Sequence, residues 1–155
     1  SKLRVIDNNL VEKSGNFSHN IDKLTAWKEL DLSPEAKSFS GSVIYSTTLY
    51  IGELENGVNY LIDLGPVEEF AVTKLNGTEL DRLWTPPYCS DFTKHLKSGE
   101  NRLEVEITST RFNRLLYDAR QPEEKRKSWV ITRPDIERSF QEKGLRGAVT
   151  IYKKR

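Results

Sequence analysis

Residues 102–110 read Arg-Leu-Glu-Val-Glu-Ile-Thr-Ser-Thr, and this period of two constrains the fold more than any other feature of the chain. Leu103, Val105 and Ile107 alternate with Glu104, Glu106 and Thr108, so an extended strand here is apolar on one face and polar on the other. A strand of that kind belongs in an antiparallel sheet with one wet face. The same alternation recurs over Ser42–Ile51, where Val43, Tyr45, Thr47, Leu49 and Ile51 share a side. Shorter runs at Tyr60–Leu64, Phe70–Leu75, Glu79–Trp84 and Ala148–Tyr152 read as further strands. Gly65-Pro66 closes one of them, and Asn76-Gly77 marks a tight hairpin between two others. Pro86-Pro87 stops regular pairing, because neither residue can donate a ladder hydrogen bond.

Helical signals are few and short. Asp91–Leu96 predicts one turn capped by Asp91, and Ser33-Pro34-Glu35 predicts another. A short helix is expected over Arg111–Ala119, followed by a long polar connection; the first forty residues read as weak strands and loops. The fold class is therefore all-β, a β-sandwich with short helical turns in its connections. At 155 residues, with no internal repeat and no low-complexity linker, residues 1–155 form a single domain. The 3 Trp, 6 Tyr and 6 Phe are spread along the chain, which excludes disorder. No apolar run approaches the ~20 residues of a membrane helix. Cys89, alone, cannot form an internal disulfide. The chain contains no Met, so it is expected to be an excised domain of a larger multidomain enzyme.

The net charge of +1 hides an asymmetry: residues 1–110 hold 11 Lys/Arg against 17 Asp/Glu, and residues 111–155 hold 13 against 6. Phe112, Tyr117 and Trp129 are interleaved in the basic part. The acids among them and the absence of any nucleic-acid motif point instead to a solvated or internally paired face. Neither nucleic acid nor membrane is an expected partner.

Motifs for chemistry are scarce. His19, His95 and Cys89 are not spaced as metal ligands, and neither a phosphate loop nor a G-x-S-x-G elbow occurs. Glu104 and Glu106 stand ~6–7 Å apart on one strand face, the separation of a glycosidase carboxylate pair. Alternate glutamates are more simply the solvent side of an amphipathic strand, so no catalytic residue is assigned. Asp7-Asn8-Asn9 offers oxygen ligands suited to a structural calcium ion, although such polar clusters are usually loops. No other cofactor is expected. Trp84 and Tyr88 flank a rigid diproline at a strand end, where aromatic rings suit the C–H faces of sugars; they could equally cap the core.

The strings Phe39–Leu49, Leu61–Val67 and Lys74–Tyr88, continuing through Asp91–Thr108, resemble the sugar-binding jelly-roll domain of family 2 glycoside hydrolases. Asn113-Arg114-Leu115 with Asp118, and the closing Gly144–Ile151, are similar to the C-terminal domain of family 106 α-L-rhamnosidase-like enzymes. The resemblance covers residues 24–153. It implies a galactose-binding-like jelly roll attached to a catalytic domain of the same polypeptide, in a secreted or periplasmic enzyme acting on plant-type polysaccharide. The chain departs from the pattern at Ser109, Cys89 and the stretch Gly144-Leu-Arg-Gly-Ala.

The expected function is a non-catalytic accessory domain that binds carbohydrate; the alternatives are a purely structural interdomain module and a free-standing lectin-like binder. The expected carbohydrate-binding or interdomain surface consists of Trp84, Tyr88, Asn113, Arg114 and Asp118. If 111–119 is helical, Arg114 and Asp118 fall four apart on one face and can pair.

Overall fold

The computed structural model describes residues 2–6 and 17–154. Among the described residues nine strands form two antiparallel sheets. β1 (Lys2–Ile6), β2 (Phe17–Asn20), β3 (Ser42–Ile51), β5 (Phe70–Leu75), β6 (Thr78–Leu83) and β8 (Gly99–Thr108) make a six-stranded sheet in the order β2-β1-β3-β8-β5-β6. β4 (Asn59–Asp63), β7 (Cys89–Asp91) and β9 (Thr150–Lys154) make the smaller sheet, with β4 in the middle. The chain passes from one sheet to the other between β3 and β5, so that β8 pairs with both of them: the winding of a sandwich rather than a meander.

The alternation of β8 is realised: Leu103, Val105 and Ile107 are buried, and Glu104 and Glu106 lie on the opposite face, half-exposed because β3 and β5 flank them. Ala71, Thr73 and Leu75 of β5 stand opposite Ile107, Val105 and Leu103 and complete that inner face. Ile62 and Leu64 around β4, with Phe92 beyond β7, fill the core from the other side. Asn76 (φ 52°) and Gly77 (φ 86°) turn the β5–β6 hairpin through the left-handed region that an Asn-Gly pair accepts at low cost.

Helices are confined to the connections. A 3-10 turn at Trp27–Glu29 precedes α1 (Pro34–Lys37), which is capped by the Ser33 hydroxyl. Phe92–Leu96 makes the expected single turn, with Asp91 Oδ1 accepting the Thr93 N–H. α2 (Phe112–Ala119) falls where it was expected, one residue shorter at its start. The last strand begins two residues later than the sequence suggests, and β7 carries no alternation long enough to announce itself.

Gly144 (φ 102°) lies between the Trp27 ring and the Tyr45 hydroxyl. That hydroxyl accepts the Trp27 indole N–H at 2.6 Å and the Leu145 N–H at 3.2 Å, and Trp27 N–H donates to Lys143 O at 3.0 Å. Three elements distant in sequence are thus fastened over the end of the core.

Candidate functional site

The segment from 120 to 143 has almost no regular structure, yet α2 holds it at several points. Asp118 Oδ1 and Oδ2 accept the N–H groups of Lys127 (2.7 Å) and Ser128 (3.0 Å). Arg120 donates to the carbonyls of Ile136 (2.9 Å) and Arg138 (2.5 Å). Asn113 takes both backbone groups of Gln141. Arg138 lies over the Phe112 ring and Arg120 over the Phe140 ring, each just over 5 Å from the centroid. The basic third of the chain therefore spends much of its charge on internal carbonyls and rings.

Asn113 and Asp118, two residues of the expected surface, are buried and turned to the protein's own backbone. Burial acts most strongly on Asp118 and raises its pKa, but the N–H groups of Lys127 and Ser128, the Ser128 hydroxyl and the Arg114 charge together hold it below the ordinary carboxylate value. The anticipated Arg114–Asp118 pair does not form. Arg114 reaches across to Glu35 at 3.1 Å instead, tying α2 to α1, while the Asp118 carboxylate faces the backbone amides of 127 and 128.

Trp84 and Tyr88 are separated by the structure. Tyr88 is buried in the core, its hydroxyl donating to Glu69 O at 3.3 Å. Trp84 is 70% exposed and leans on Phe70, with ring centroids 4.4 Å apart. Two further side chains stand out on the pinned connection: Trp129 is 86% and Ile131 90% exposed. In the sequence Trp129 stands out only as one aromatic of a basic stretch; the signal for the exposed pair is the run Trp-Val-Ile at 129–131 inside it.

Other features carry little chemistry. Glu104 pairs with Arg102 at 2.9 Å on the open outer face. Lys143, fully buried, bonds Glu69 and the Thr110 hydroxyl, and so anchors the strap at 143–145. A cavity of about 200 Å³ opens between β3, β8 and β9, lined by Leu49, Leu103, Leu145 and Ile151, among others; the Tyr45 hydroxyl at its wall is already engaged. Among the described residues no group of three or more His, Cys, Asp and Glu could hold a metal ion, and no helix is long and apolar enough to cross a membrane. Asp7-Asn8-Asn9 lies outside the described residues.

The described residues define a class of fold: an antiparallel β-sandwich of a six-stranded and a three-stranded sheet, with short helices in its connections. The comparisons with known proteins agree. No protein-family model matches the chain. A putative β-glucuronidase of Formosa agariphila is 35% identical over 103 residues, which are 65% of this chain and 9% of that protein. The rhamnosidase from Novosphingobium sp. PP1Y superposes with a TM-score of 0.82 at 24% identity, over 99% of this chain and 14% of that one. A β-glucuronidase from Ruminococcus gnavus does so at 0.57 and 15% identity, over 70% of this chain and 19% of that one. The chain thus spans less than a fifth of the length of each of these proteins.

Proposed function

We propose that the chain is a non-catalytic accessory domain of an extracytoplasmic glycoside hydrolase, seated against the catalytic domain of the same polypeptide. The observation that carries this reading is the pair Trp129 and Ile131, almost wholly exposed on a connection whose backbone is tied down on both sides of them. Ordering costs about 1–2 kcal/mol per residue, and here it is met before any partner arrives. A fixed loop holding a Trp and an Ile in water is suited to burial against another surface, since such residues anchor interfaces. The likeness to parts of a rhamnosidase and of β-glucuronidases supports a hydrolase as the rest of that polypeptide.

The test uses the parent enzyme and the 155-residue chain side by side. Trp129→Ser with Ile131→Ser should lower the parent's melting temperature and speed its proteolysis between domains. The same double change should leave the melting temperature of the isolated chain within a few degrees. Equal behaviour of variant and wild-type parent would refute docking through this loop. The isolated chain should not hydrolyse aryl glycosides; turnover abolished by Glu104→Gln or Glu106→Gln would refute the non-catalytic assignment.

A second reading, that the domain itself takes carbohydrate, is favoured by Trp84. Its ring is supported from behind by Phe70 and open in front.

A further inference from the structure

The chain contains two Asn-Gly dipeptides, Asn56-Gly57 and Asn76-Gly77, and both sit in exposed turns. An asparagine before glycine is open to attack by its own backbone, because glycine has no Cβ to hold its nitrogen away from the side-chain carbonyl. The two copies of this unit meet opposite surroundings.

Asn76 is tied down through its side chain and its backbone. Its Nδ2 donates to Asn101 Oδ1 at 2.9 Å and to His95 O at 3.2 Å, and its Oδ1 accepts the Arg102 N–H at 3.0 Å. Its own N–H donates to Arg102 O at 2.8 Å. Asn101 is fully buried and is itself oriented by Lys97 and Gly99. The Asn76 carboxamide therefore cannot turn toward Gly77 without giving up these bonds. Asn56 has no such ties. It lies in the turn from β3 to β4, which the Val58 N–H closes onto Glu55 O at 3.4 Å with Gly57 at φ 74°. Residues 53–57 are all exposed, and a Cβ placed on Gly57 would meet nothing within 4 Å. Among the described residues neither the Asn56 carboxamide nor the Gly57 N–H has a hydrogen-bond partner.

We propose that Asn56 is a site of spontaneous covalent modification that the fold tolerates, converted with time to aspartate and isoaspartate, while the fold keeps the same dipeptide at Asn76 intact. The Gly57 nitrogen, giving its proton to solvent, attacks Asn56 Cγ. The bond between them forms, the Cγ–Nδ2 bond breaks, and the departing nitrogen takes a proton from water and leaves as ammonia. A succinimide ring remains, and water is the only other reactant. Its addition at Cγ restores the ordinary main chain and gives aspartate. Its addition at the backbone carbonyl gives isoaspartate, whose main chain runs through Cβ. Either product adds a negative charge next to Glu55, whose partner Lys153 on β9 can share it. The same conversion at Asn76 would set a carboxylate, which can only accept, against His95 O and Asn101 Oδ1. One turn can absorb the change and the other cannot.

The experiment ages the folded 155-residue chain in mildly alkaline buffer beside a second sample unfolded in guanidinium chloride. Both Asn-Gly peptides are followed by mass spectrometry and by isoaspartyl methyltransferase labelling. In guanidinium the two sites should react at similar rates. In the folded chain Asn56 should stay within about threefold of its unfolded rate, whereas Asn76 should slow by at least about tenfold, because it reacts only after local opening. Asn56→Ser should abolish the acidic species that the folded chain accumulates. Asn56→Asp should leave the melting temperature within about 2 °C, and Asn76→Asp should lower it by roughly 5 °C or more. Folded Asn56 slowed as much as Asn76, or folded Asn76 reacting as fast as Asn56, would overturn the proposal. So would acidic species that persist in Asn56→Ser, or a loss of melting temperature in Asn56→Asp as large as that in Asn76→Asp.

Discussion

Asn113 and Gln141 exchange two hydrogen bonds: the Asn113 Nδ2 donates to Gln141 O at 2.9 Å, and its Oδ1 accepts the Gln141 N–H at 2.8 Å. One buried amide thereby stands in for a partner strand. Asn113→Ala would leave both backbone groups unpaired, and a loss of about 1–3 kcal/mol is expected. Urea denaturation measures it, and proteolysis within 126–143 should speed up in parallel.

Asp118 gives the connection its acid sensitivity. Its pKa in the folded chain lies below the ordinary value, whereas the unfolded carboxyl titrates near about 3.9. The stability it contributes is complete above that unfolded value and disappears as pH falls through the folded one. Asp118→Asn places an NH2 group against a backbone N–H and should cost about 1–3 kcal/mol at neutral pH. The gap between wild type and variant should be flat from about pH 5 to 8 and close below about pH 4. A gap that persisted unchanged into acid would show that the charge is not what holds the loop.

Gly144 has no room for a side chain. An added Cβ would meet the Tyr45 hydroxyl oxygen at 2.6 Å as well as the Trp27 ring, at a φ of 102° that L-residues resist. Gly144→Ala should therefore cost at least about 2 kcal/mol and lower the melting temperature by roughly 5 °C or more. The near-ultraviolet circular dichroism of Trp27 should change with it.

Asn101, fully buried on β8, donates to Lys97 O (2.7 Å) and Gly99 O (3.1 Å) and accepts from Lys97 N–H (3.0 Å) and the Asn76 amide (2.9 Å). Through Asn76 it couples the turn before β8 to the β5–β6 hairpin. Asn101→Ala should cost about 1–3 kcal/mol. The double change with Asn76→Ala should cost less than the sum, because the two share a bond.

What could be read from the sequence follows from where each signal resides. β3 and β8 were legible because half-buried strands write their burial into alternate residues, and the β5–β6 hairpin because positive φ selects Asn and Gly. β7 was not, since three residues after a diproline carry no period. The same division runs through the candidate surface. Asn113, Arg114 and Asp118 read in the sequence as polar residues on a short helix, but their partners lie at Gln141, Glu35 and the 127–128 backbone. Spacing along one helix reports only neighbours three or four residues away, so the sequence suggested an Arg114–Asp118 pair in place of these longer reaches. Trp84 and Tyr88 look alike in sequence and differ in burial, because Tyr88 lies just before β7 under the core while Trp84 leaves β6 at the sheet's outer side.

The pairing of β9 with β4, from Asn59 opposite Lys154 to Asp63 opposite Thr150, has a consequence for how the chain is made. The middle strand of the small sheet leaves the ribosome long before its second partner, and contacts this distant in sequence slow folding. Until 150–154 emerges, the inner faces of β3, β4 and β8 lack part of their cover, and a chaperone has its longest opportunity there. The same arrangement makes the protein a candidate for splitting: a break in the connection after α2 would yield two fragments that reassemble by β9 finding β4 while the strap at 143–145 returns to Tyr45, Glu69 and Thr110, a two-piece reporter with part of its seam in the smaller sheet.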